Sequence, residues 1–127
     1  MKKLLILLFS LLISFNSYGE WEEVGESPAG NTYYINTDTI KEHNGYVYYW
    51  VLDDYLKPDK YGDMSVKTYV QGDCGVNRFK WLSFIYYKQP MGEESVKTEE
   101  PNNTDWIYRP PESIGGGLLK YVCDYVD

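Results

Sequence analysis

Three kinds of side chain in this sequence could do chemistry: two cysteines, some clustered acids and a single histidine. A nucleophilic mechanism needs a base held against its nucleophile. The one imidazole, His43, sits in the charged turn Lys41–Asn44 and reads as solvated. Asp53-Asp54 and Glu93-Glu94 are acid pairs, and glycoside hydrolysis uses two carboxylates. On a strand, however, adjacent residues point to opposite faces, so these pairs read as surface charge. Asp53, Asp54, Asp59 and Asp63 crowd one strand end and its loop, where oxygen ligands could hold calcium. Their spacing fits no EF-hand, and acids closing a strand end are commoner. The expectation is a protein that is not an enzyme and holds no metal or cofactor.

The remaining chemistry belongs to Cys74 and Cys123, and its reading depends on the compartment. Lys2 and Lys3 precede an apolar run from Leu4 to Phe15, and Ser17 and Gly19 stand two apart behind it. That is the layout of a secretory signal cut after Gly19. The run is well short of the roughly 20 residues a spanning helix needs. The expected division is therefore a signal peptide at 1–19 and one domain at 20–127, periplasmic or secreted. No cysteine follows the apolar run to accept a lipid, and no membrane anchor is expected after cleavage. In an oxidising space an even cysteine count reads as a disulfide, and two cysteines allow one intramolecular pairing. Redox pairs are normally spaced C-x-x-C, and zinc needs more ligands than two cysteines and His43 supply. A Cys74–Cys123 bridge would close a loop of about 49 residues, stabilising the fold by roughly 4 kcal/mol on the chain-entropy account.

The formal net charge is −7, and loss of Lys2 and Lys3 makes it two units more negative. Such a surface repels phosphate backbones, which excludes nucleic acid as a partner and disfavours anionic membranes. Solubility is the plain reading of the acidity, and a cationic partner the sharper one.

The elements that position these residues are mostly strands. The chain has 14 tyrosines and four tryptophans, and aromatic residues favour pleated, half-buried surfaces. Trp21–Val24 and Thr32–Asn36 read as short strands, the second followed by a polar turn at Thr37–Thr39. Gly45 opens a strand Tyr46–Tyr55, apolar on both faces and hence covered on both. Lys57–Asp63 reads as a loop, Met64–Gly72 as a strand, and Asn77–Lys88 as another. In that last strand Phe79, Trp81, Ile85 and Tyr87 are expected on one face, and Lys80, Leu82, Phe84 and Tyr86 on the other. Gln89–Gly92 is a turn, Val96–Thr98 a short strand, and Glu99–Asp105 an exposed loop. Tyr46, Tyr48, Tyr49, Tyr86 and Tyr87 could form a recognition platform across two neighbouring strands. Cross-strand pairing that merely holds the sheet together would use the same rings.

The C-terminus changes period. Ile114, Leu118, Tyr121, Val122 and Tyr125 recur at helical spacing, with Ser113 as N-cap. Gly115-Gly116-Gly117 weakens the first turn by about 2.5–3 kcal/mol, so packing and the bridge must hold this helix on the sheet.

The order of these features resembles the surface-adhesin protein E family of small exported bacterial domains. The matching pieces are Trp21 and Val24, Tyr33-Tyr34-Ile35-Asn36 with Ile40, then Gly45, Val47 and Trp50 through Asp53. Ser65, Lys67, Asp73-Cys74, Arg78 and Met91-Gly92 follow, then Trp106, Pro111, Ser113, Leu118-Leu119 and Val122-Cys123. The resemblance implies an α+β fold, a single antiparallel sheet of about six strands with a C-terminal helix tied to one face by a disulfide. It also implies adhesion to host matrix and serum proteins. The family's namesake is a lipoprotein, whereas this chain lacks the acceptor cysteine. The family usually has aspartate at the position of Asn36 and a helix-capping glutamate at that of Gly116. Gly116→Glu is accordingly expected to stabilise the helix start.

The function expected is a non-enzymatic exported binding or adhesion-type module, with extracellular or envelope proteins as partners. The alternative is a structural periplasmic component that self-associates, as a homodimer, through an exposed strand edge.

Overall fold

A computed structural model describes residues 21–127; the expected signal segment 1–19 and Glu20 lie outside the described residues. Eight strands form one antiparallel sheet: β1 (Trp21–Glu26), β2 (Thr32–Asn36), β3 (Lys41–His43), β4 (Tyr46–Asp54), β5 (Ser65–Asp73), β6 (Arg78–Tyr87), β7 (Ser95–Glu99) and β8 (Ile107–Tyr108). The order across the sheet is β1-β2-β4-β5-β6-β7. β3 pairs with β4 alongside Tyr46–Tyr48, beyond the reach of β2, and β8 pairs with β6 beyond the reach of β7. One helix, α1 (Ile114–Val126), packs on one face.

Two strands escaped the sequence reading. β3 lies in the stretch Lys41–His43 read as a charged turn. It forms because Asn44 and Gly45 both take positive φ, 53° and 84°, and so make a two-residue hairpin joining His43 to Tyr46. β8 is only two residues long, too short for periodicity to reveal.

The face assignment of β6 is also corrected. Tyr69 pairs with Ser83, whereas the next residue, Val70, pairs with Trp81, so Leu82 is an additional residue on β6. This bulge reverses the alternation beyond it. Phe79 and Trp81 therefore share the helix-side face with Phe84 and Tyr86, and Ile85 and Tyr87 go to the outer face.

The core lies between the sheet and α1, where Ile35, Val47, Tyr49, Val70, Phe79, Leu119 and Val122 are buried. Cys74 and Cys123 are bonded, with Cα atoms 5.8 Å apart, and tie the turn after β5 to the last half of α1. Asp73 braces that turn, accepting from the Gly75 amide and pairing with Arg78 at 2.9 Å.

Glycine makes the close docking possible. A Cβ on Gly72 of β5 would stand 2.5 Å from Leu119 Cδ1. Gly116 sits at the third helical position, where its amide donates to Ser113 Oγ at 3.1 Å, the expected N-cap bond. A Cβ there would lie 2.0 Å from the Pro110 carbonyl oxygen, and one on Gly115 would lie 2.6 Å from Phe79 Cζ. Gly116→Glu is thus a clash with backbone and not a stabilising cap, contrary to the expectation from the family pattern. The three glycines admit the crossing chain at Arg109–Pro111 and the Phe79 ring.

An aromatic cleft with an unpartnered carboxylate

The five tyrosines expected to form a platform do not share a surface. Strand β5 separates β4 from β6. Tyr49 and Tyr86 belong to the helix-side face, Tyr46, Tyr48 and Tyr87 to the outer one, by the register of the ladders. Tyr49 is 1% exposed and Tyr87 7%, so neither ring can meet a partner. On the outer face Tyr48 stacks on Tyr69 at 6.2 Å, and Tyr69 meets Trp50 at 4.8 Å. Tyr46 meets Trp106 at 5.5 Å, with the Arg78 guanidinium 4.1 Å above the indole. Those rings contact one another across strands.

A different set of rings encloses free space. On the helix side, register lines up Tyr33 of β2, Asp53 of β4, Val66 of β5 and Tyr86 of β6 in one row across the sheet. The next row holds Val51, Thr68 and Phe84, and the one after it Tyr49, Val70 and Trp81. Together with Tyr55 and the first residues of α1 they line a cleft of about 330 Å³. That size falls at the small end of ordinary ligand sites. Its floor is aliphatic, its walls are aromatic, and Asp53 is the acid that lines it.

The four acids at this strand end divide cleanly. Asp54 points to the outer face, where its carboxylate accepts from the Met91 amide at 2.8 Å. Asp59 accepts from the amides of Tyr61 and Asp63, both at 2.9 Å. Asp63 is buried and pairs with Lys88 at 3.1 Å. Asp53 alone has an oxygen, Oδ1, that is buried and without any hydrogen-bond partner among the described residues. Burial, and secondarily the charge of Asp54, push the Asp53 carboxyl up to about 6. Burial and the nearby Asp53 charge also raise the hydroxyl pKa values of Tyr33 and Tyr55. These acids do not converge as a calcium site would, and among the described residues no three His, Cys, Asp or Glu side chains stand together as metal ligands.

His43 is exposed at the end of β3, its ring 3.1 Å from the Asn44 amide nitrogen, and does not line the cleft. Sequence reasoning placed the acids at the right strand end but missed Tyr33, Tyr55, Trp81 and Phe84. The signal for the last two was Trp81-x-x-Phe84, whose spacing shares a face only across a bulge.

The arrangement resembles known folds closely enough to classify it. Crystal form II of Haemophilus influenzae protein E aligns with a TM-score of 0.62 at 15% identity, covering 85% of this chain and 91% of that one. A second structure of Haemophilus influenzae protein E aligns with a TM-score of 0.60 at 15% identity, covering 83% and 84%. Protein E from a non-typeable Haemophilus influenzae gives 0.58 at 14%, covering 83% and 76%. At such identities the likeness shows the fold alone. No curated protein matches the sequence. The pattern of the surface-adhesin protein E family, in contrast, matches residues 21–124, nearly the whole described chain. By that match, and by the helix bonded to one face of the sheet, the chain belongs to the surface-adhesin protein E family.

Proposed function

We propose that this chain is an exported, non-enzymatic binding module of adhesion type, whose mature part begins at Glu20 and works in the periplasm or outside the cell. The reading is supported by membership of a surface-adhesin family and by a disulfide suited to an oxidising compartment. The observation that carries it is the cleft itself. A hollow walled by aromatic rings and holding one unpartnered carboxylate is equipped for recognition. It contains no histidine, cysteine or lysine to act on what it holds. Partners of this reading are extracellular or envelope proteins. The domain 20–127, immobilised through its C-terminus, should retain purified matrix, serum or envelope proteins from a defined panel. Retention of none of them would overturn the proposal.

A second reading is self-association as a homodimer. Strands β1 and β7 end the path of the sheet, and an open strand edge can pair with another copy. Sedimentation at high concentration distinguishes the two: a concentration-dependent dimer supports edge pairing, and a monomer throughout removes it.

A further inference from the structure

The cleft has a charge as well as a shape, and that charge selects what can fill it. No lysine or arginine lines it. It opens into a second hollow of about 210 Å³ that shares Tyr33, Ile114 and Leu118 with it and is bordered by Glu26 and Glu112. That hollow has no basic residue in its lining either. Side by side the two make a groove along the first turns of α1, with Glu26 and Glu112 at its β1 end, Asp53 within it and aromatic rings of β6 at the other end.

Building on the function proposed above, we infer that this groove binds a basic, extended peptide segment of a partner protein, with one arginine or lysine side chain entering the cleft to meet Asp53. The alkyl stem lies along Val51 and Val66, the cationic head meets the Asp53 carboxylate where it lines the cleft, and the rings of Tyr33, Tyr55 and Tyr86 face it. An arginine or lysine head supplies the counter-charge and donors that the Asp53 carboxylate lacks in the cleft. Aromatic faces attract cations at about 6 Å or less. The protein already uses this contact at the edge of the same cleft. Lys97 lies 5.4 Å from the centroid of Tyr86, its ammonium held by Glu99 at 2.9 Å, and it forms no ion pair with Asp53. A neutral hydroxyl or amide can donate to the carboxylate but leaves its charge unbalanced, and an anionic occupant would face three acids. A cationic small molecule would fill the cleft but not the extension between Glu26 and Glu112, which favours a peptide.

The test uses the mature chain and titrates the Trp81 indole N–H signal by nuclear magnetic resonance. Four probes are compared: an end-blocked pentapeptide with central arginine, its lysine and citrulline counterparts, and choline. Citrulline has the shape of arginine without the charge. Arginine and lysine peptides should move the Trp81 signal saturably and bind at least about tenfold more tightly than the citrulline peptide. In Asp53→Asn that preference should fall to within about twofold, while Glu93→Gln, an exposed acid elsewhere, should leave it unchanged. Equal binding of arginine and citrulline peptides overturns the inference. So does an unchanged preference in Asp53→Asn, which would mean diffuse attraction to an acidic protein. Tighter binding of choline than of either basic peptide overturns the peptide as occupant. Should no probe move Trp81 while the immobilised domain still retains a protein partner, the inference fails and the adhesion reading stands.

Discussion

A carboxylate oxygen shut away from water without a donor is a destabilising element, and Asp53 keeps one in the middle of a sheet. Its raised pKa fixes how that penalty varies with pH. An unfolded aspartate loses its proton near 3.8 and the folded one at about 6. Between those values the folded state binds more protons than the unfolded chain, so stability falls as pH rises through the window and levels off above it. Asp53→Asn removes the charge at every pH. It should raise the melting temperature at pH 7 by the equivalent of about 1–2 kcal/mol, discounted for partial exposure. At pH 4 it should do nearly nothing. Calorimetry of both proteins at the two pH values checks this, and an equal effect at both would contradict the stated cause. A similar argument about a single atom applies at Gly116. Helix propensity alone says alanine there gains about 1 kcal/mol. Contact with the Pro110 carbonyl reverses the sign, and Gly116→Ala should lose about 2–3 kcal/mol in denaturant titration. The sequence shows that Asp53 and Asp54 must part to opposite faces. Which of them meets the cleft depends on strand register, and neither residue carries that information alone.

At the scale of elements, most strands and α1 were legible because their periods are strong and their ends carry turn residues. Thr32–Asn36 matches β2 end to end, and Ser113 caps the helix as its position implied. What could not be read was pairing. The Asn44-Gly45 hairpin signal was present, yet the strand before it has three exposed residues and no apolar alternation. The bulge on β6 has no glycine to mark it, so strict alternation put Phe84 and Tyr86 on the wrong face. The cleft was invisible for that reason, since two of its walls come from beyond the bulge. The close approach of α1 likewise rests on Gly72, which looks in sequence like the end of a strand. Gly72→Val should push the helix outward at Leu119. About 2–3 kcal/mol of lost stability is expected by denaturant titration, together with increased hydrogen exchange in α1.

At the scale of the molecule, the bond between Cys74 and Cys123 closes a loop of 49 residues that contains β6, β7 and β8. Removing it should lose about 3–4 kcal/mol. Cys123→Ser should melt roughly 15–25 °C lower than the parent in a thermal scan. Equal melting of the parent with and without reductant would show that the bridge contributes nothing. Ile114, Gly115 and Leu118 of α1 line the cleft, so reduction should also weaken any ligand there before the sheet itself unfolds. The fold class followed from composition, cysteine count and the change of period near Pro111. The cleft did not, because it is made by four strands and one helix meeting at a register no local segment specifies.

Leu82 gives β6 one residue more than β5 requires, and this small surplus governs which rings belong to the cavity and which to the opposite surface. Excising that single residue would make the ladder regular and leave every ring on the face it now occupies. The swap would come instead from forcing Leu82 into the ladder opposite Tyr69. With the Arg78–Trp81 end held in place, Ile85 and Tyr87 would then turn inward while Phe84 and Tyr86 turned away. A variant lacking Leu82 would therefore keep its wall of rings and lose only the bend that the surplus residue puts into β6, so the chain can carry the extra leucine only because it is left out of the pairing.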